Sequence, residues 1–98
     1  MGNSLKSATF LMESRLLDAA SGSAHACYEL GVAYSCGTGG VDVNLIEAHK
    51  WFNLAAAAGH EDAPGCRAEV AEEMTARQIS EAQRQARAWI AATSSAAA

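Results

Sequence analysis

Apolar and small residues recur along this chain three or four apart, in five stretches separated by glycine, serine or proline, which predicts five helices. The first spans Leu5 to Ala20, with an apolar stripe of Phe10, Met12, Leu16 and Leu17, and ends at Ser21-Gly22-Ser23, where Gly22 suits a left-handed closing residue. The second runs from Ala24 to Ser35, its stripe made of Ala26, Leu30, Ala33 and Tyr34. Gly31 inside it costs about 1 kcal/mol against alanine, so a close backbone approach by a neighbour is expected there. After the loop Cys36-Gly37-Thr38-Gly39-Gly40, Asn44 and Glu47 have the spacing of a capping box. The third helix then carries Ala48, Trp51, Phe52, Ala55 and Ala56 on one dense face and stops at Gly59. A fourth helix, from Asp62 or Ala63 to Met74, tolerates Pro64 in its first turn. Thr75 and Gln78 form a second capping-box pair, flanked by Met74 and Ile79 at the staple positions. The fifth helix is expected to reach about Ala91, with Ile79, Ala82, Ala86, Trp89 and Ile90 inward, leaving Thr93 to Ala98 as a disordered tail.

The fold class that follows is all-α. No alternating run is long enough for a sheet. Half of the 98 residues are hydrophobic, but much of that is alanine and aromatics are only 6%, so close helix contact has to replace bulky filling. Alanine and glycine at Ala26, Gly31, Ala48 and Ala55 mark where neighbouring rods would touch.

Charge and chemistry narrow the functional classes. A net charge of −4, with seven Lys and Arg scattered among eleven acids, argues against nucleic-acid binding through a basic face. No apolar run approaches the ~18–20 residues that cross a bilayer, so membrane insertion is not expected. The start, Met1 to Lys6, lacks the long apolar core of a secretory signal. Three cysteines, Cys27, Cys36 and Cys66, with no close pair disfavour a disulfide framework and fit a reducing, cytoplasmic compartment. No metal site is expected: His25 and Cys27 are two apart, about 200° around a helix. The glycines of residues 37–40 lack the preceding strand and the Gly-Lys-Ser/Thr of a phosphate loop, and read as a turn. His25, His49 and His60 have no acid or nucleophile at fixed spacing, and Glu69, Glu72 and Glu73 read as a solvated face. No catalytic residue and no cofactor are expected.

The chain also repeats itself. Ser21-Gly22-Ser23-Ala24-His25-Ala26 is echoed by Ala58-Gly59-His60-Glu61-Asp62-Ala63, an interval of 37 residues from Gly22 to Gly59 and within the range of two-helix solenoid repeats. Between these points lie Ala24, Ala26, Tyr28, Leu30, Gly31 and Tyr34, then Gly37, Gly40 and Val41, then Glu47, Ala48, Lys50, Trp51, Phe52, Ala55, Ala56, Gly59 and His60. In this order and spacing they resemble the Sel-1-like repeat, a relative of the tetratricopeptide repeat. The resemblance implies an α/α superhelix: a single domain over 1–92, in which 5–20 is the second helix of a partial first repeat, 22–59 a full repeat and 60–92 a divergent C-terminal capping repeat. Arg67, Ala68 and Ala71 depart there from the Leu, Gly and Tyr of the motif. The resemblance further implies an adaptor or scaffold that binds a protein or peptide, in settings that are often bacterial, and no catalysis.

In such a stack the first helix of each pair lines the concave surface. The candidate partner-binding residues are therefore His25, Cys27, Glu29, Val32 and Ser35, with Cys66, Arg67 and Val70 on the next first helix. The expected repeat core is Ala26, Leu30, Gly31, Tyr34, Ala48, Trp51, Phe52, Ala55 and Gly59. Two other functions compete: self-association as a homodimer through apolar end surface at Phe10, Leu11 and Met12, and a thiol-dependent activity at Cys27, Cys36 or Cys66, which needs a reactive thiolate.

Overall fold

The computed structural model describes residues 3–97; Met1, Gly2 and Ala98 lie outside the described residues, and with them the ends of the leader and tail expectations. Five helices follow one another: α1 (Asn3–Ala20), α2 (Ala24–Cys36), α3 (Leu45–Ala57), α4 (Ala63–Ala71) and α5 (Ala76–Ala97). The described residues contain no strand.

Local chemistry sets most boundaries. Ser23 caps α2 by accepting from the Ala26 N–H at 3.1 Å, and Asn44 caps α3 by accepting from the Glu47 N–H at 3.1 Å. Thr75 and Gln78 make the full reciprocal box: the Gln78 N–H donates to Thr75 Oγ1 at 3.1 Å, and the Thr75 N–H donates to Gln78 Oε1 at 2.9 Å. The box at Asn44 is only half made. The Asn44 N–H donates instead to the Tyr34 carbonyl at 2.9 Å, which ties the glycine-rich loop back to α2.

The repeat is visible in how two helices close. Gly22 (φ 97°) and Gly59 (φ 96°) are left-handed. Each is followed by the same pair of bonds, Gly22 N–H to Ala19 O and Ser23 N–H to Asp18 O, then Gly59 N–H to Ala56 O and His60 N–H to Ala55 O.

Two ends differ from expectation. α4 stops at Ala71 rather than Met74, because Glu73 and Met74 donate to carbonyls three residues back, a tightened turn that delivers the chain to the Thr75 cap. α5 does not end near Ala91 with a disordered tail from Thr93. It continues to Ala97, since alanine is the best helix former and the Thr93 hydroxyl folds back onto the carbonyls of Trp89 and Ile90.

α3 is the hub, packing against α2, α4 and α5, while α1 rests on α2. Leu30, Trp51 and Phe52 are the largest fully buried side chains, and Ala26, Gly31, Ala48 and Ala55 are all buried beside them. Of the expected core, Tyr34 is half-buried against both core clusters, and Gly59 is an exposed helix closure. Gly31 is crowded by a ring rather than a backbone: a Cβ there would lie 2.6 Å from Cδ1 and Cε1 of Phe52. On α5, Ala82 and Ala86 are fully buried, and Trp89 meets Trp51 edge-on at 4.8 Å between ring centroids, which docks α5 onto α3.

The apolar stripes of α1 and α5 need correction. Met12 and Leu16 pack on the core with buried Ala19, but Phe10 (74% exposed) and Leu17 (71%) face outward. Ile90 is likewise exposed. Among the described residues α1 packs chiefly on α2, with the glycine-rich loop against it at Ala8 and Arg15, so only part of its surface is covered.

Candidate functional site

Glu47, Lys50 and Trp51 close on one another within one helical turn. The Trp51 indole N–H donates to Glu47 Oε2 at 3.0 Å, and Lys50 Nζ donates to Glu47 Oε1 at 3.1 Å while lying 4.9 Å from the indole centroid. The carboxylate that could have completed the cap at Asn44 thus satisfies a buried tryptophan instead. This is scaffold chemistry within α3, which packs against α2 beneath the outer face of that helix.

That outer face carries a ring stack. His60, just past the Gly59 closure, lies over Tyr28 at 4.1 Å with the rings 7° from parallel, and over His25 at 6.2 Å. His60 Nδ1 accepts from the Asp62 N–H at 3.2 Å, so the imidazole is held by structure on both counts. Tyr28 leans on Phe52 at 5.7 Å and accepts a long bond from the Cys66 thiol at 3.9 Å, joining α2 to α4. The hydrogen bond with Cys66 and the electrostatic influence of that group, with burial and the nearby Asp62 and Glu69 adding to them, push the Tyr28 phenol above its usual value, so it stays neutral.

The candidate residues separate into distinct places. His25 (exposed), Glu29 and Val32 (both half-buried) line one groove between α1 and α2, of about 190 Å³, together with Arg15, Tyr28, Ala33 and Thr38. Glu29 is shared there, its Oε2 3.5 Å from Arg15 Nη2 and its Oε1 3.5 Å from His25 Nε2. Cys27 is not on this face. It is 4% exposed, within the core cluster of Leu30 and Trp51, and burial pushes its thiol above the usual value, which disfavours the thiolate a nucleophile requires. Ser35 spends its hydroxyl on the Val32 carbonyl at 3.0 Å. Arg67 turns to α3, donating to Asn53 Oδ1 at 2.7 Å, and Val70 is buried. Cys36 is exposed and all three cysteines are free.

Sequence reasoning missed Arg15 and Tyr28 as groove residues. Arg15 had a readable signal: it sits between Met12 and Leu16 on the strip of α1 that faces α2, where a charge is out of place. Tyr28 had none beyond its place in the repeat motif.

Among the described residues, no group of three or more His, Cys, Asp or Glu is arranged to hold a metal ion, and no helix is long and apolar enough to cross a membrane.

Five packed helices whose core is largely buried alanine, with matching glycine closures 37 residues apart, define a helical-repeat protein of the tetratricopeptide-like kind. The family model of the Sel1 repeat matches residues 24–60, from the first turn of α2 to the stacked His60, so this stretch of the chain is similar to a Sel1 repeat. Searches of curated proteins and of solved structures found no match. Sel1 repeats in general mediate protein–protein interaction and are not catalytic modules.

Proposed function

We propose that this chain is an adaptor whose α2 face, at the mouth of the α1–α2 groove, binds a protein or peptide partner. The observation that carries this reading is the convergence of His25, Glu29 and Val32 in one groove on the first helix of the matched repeat. Their setting mixes apolar floor with a few oriented polar groups, as a recognition surface requires. The net charge of −4 favours a protein over a nucleic acid as the partner.

Affinity capture with the full chain tests the reading. Partners identified by mass spectrometry should be lost with His25→Glu or Val32→Lys and retained with Arg84→Glu, on the exposed face of α5. Both groove variants must first show wild-type helicity by circular dichroism. Identical partner sets for all four proteins would defeat it.

A second reading has its own observation. Phe10 and Leu17, two turns apart on α1, are both more than two-thirds exposed, and such a strip suits contact with a second copy. Light scattering across a concentration series tests it: a mass that rises with concentration, and returns to monomer with Phe10→Ser and Leu17→Ser, supports a homodimer. A constant monomer mass excludes it.

A further inference from the structure

Arg15 is the least satisfied charged side chain in the groove. Its side chain is only 20% exposed, and a guanidinium carries five N–H donors. Among the described residues one acceptor meets it, Glu29 Oε2, at 3.5 Å, beyond the usual range of such bonds, and Nε is buried without a partner. Gly39 passes so close that a Cβ there would stand 3.2 Å from Nη1, so the loop itself leaves the guanidinium its space. Unspent donors on a buried cation are costly unless an acceptor arrives.

The charge of that acceptor is constrained by Glu29. Arg15 and Glu29 cancel, so an anionic ligand would face Glu29 and a cationic one would face Arg15. A peptide unit avoids both conflicts, since it brings one acceptor and one donor and no net charge. The groove has room for such a unit with a small side chain against Val32, Ala33 and the Tyr28 ring.

We propose that the α1–α2 groove recognises the main chain of an extended, uncharged peptide segment, with Arg15 donating to a peptide carbonyl and Glu29 accepting from a peptide N–H. The proposal rests on the interaction-module reading above and names the chemistry of its ligand. Recognition through the main chain makes the site tolerant of ligand sequence and intolerant of ligand charge at this point.

The test is a nitrogen-15 NMR titration of the full chain, following the Arg15 Nε–H signal and the Val32 and Thr38 amides. Three probes are added separately: acetyl-Ala-Val-Ala-N-methylamide, sodium acetate and methylammonium chloride. The capped tripeptide should shift these signals saturably while the two ions at equal concentration leave them in place. Glu29→Gln, which keeps the shape and removes the charge, should weaken the tripeptide by about tenfold. Acetate acting as strongly as the tripeptide would make this an anion site; methylammonium doing so would make it a cation site at Glu29. Either result, or the lack of any saturable tripeptide shift, overturns the proposal without recourse to a variant that could misfold. An absent shift while a captured partner still depends on Val32 would leave the interaction-module reading standing.

Discussion

At the scale of single residues, the sequence is most informative where a small side chain admits a large one. Gly31 was legible as a contact point because glycine inside a helix demands compensation, yet its neighbour was not: a ring of Phe52, on another helix, fills the space. Gly31→Ala gains helix propensity of up to about 1 kcal/mol. The overpacking it forces on a fully buried ring costs about 1–3 kcal/mol, and the ring has nowhere to go. The variant should therefore be less stable by urea denaturation, and the double variant with Phe52→Leu should be less destabilised than the two single losses added together. Strict additivity would show that the two sites do not touch. His49, for which the spacing offers no acid or nucleophile, is buried at 4% exposure, with Nδ1 unpartnered. Burial, and then the charge of Arg67, hold its pKa below the ordinary 6.5. The unfolded chain thus takes up the proton first, so the stability His49 confers is full above pH 6.5 and is lost as pH falls toward its folded value. Denaturation midpoints should decline below that pH in the wild type and decline less in His49→Phe; equal slopes would show that other groups govern the acid limb.

At the scale of elements, cap chemistry made starts more readable than ends. Thr75 with Gln78 and Asn44 with Glu47 share one spacing in the sequence, but the structure completes only the first, since Glu47 is drawn to the Trp51 indole. The difference lies one turn on: Trp51 stands four residues after Glu47, where Ala82 stands four after Gln78, and its burial makes the indole N–H need a partner. Ends were less legible because they depend on hydroxyl back-bonds and tightened turns, as at Thr93 and Met74. The caps can be compared directly. Thr75→Ala removes the acceptor for the Gln78 N–H and should destabilise by about 1 kcal/mol. Asn44→Ala should cost a similar amount, because it removes the acceptor for the Glu47 N–H while the main-chain bond from the Asn44 N–H to the Tyr34 carbonyl survives the substitution. Thermal melts of the two variants decide it, and a much larger loss for Asn44→Ala would show that its side chain does more than accept from the Glu47 N–H.

At the scale of the whole molecule, the helix order and the repeat could be read from periodicity, while the groove could not, because it needs a residue from each of two helices. His25, Glu29 and Val32 are on one helix and were found by its spacing; Arg15 comes from α1 and enters only once α1 is laid on α2. The same arrangement sets an order of stability within the fold. α3 is covered on three sides and contributes Trp51, Phe52 and Ala55 to the core, so its amides can exchange only when the whole domain opens. α1 is held on one side by Met12, Leu16 and Ala19, with Phe10 and Leu17 in water, so it can lift away at lower cost. Native-state hydrogen exchange should therefore show the slowest amides in α3 and clearly faster ones in α1, with the Arg15 contact to Glu29 breaking in that partial opening. Since the groove exists only while α1 is docked, any ligand that occupies it must slow exchange in α1 more than in α3. Equal protection of α1 and α3 in the free chain would mean that the five helices open as a single unit, and that coupling between groove occupancy and α1 docking is absent.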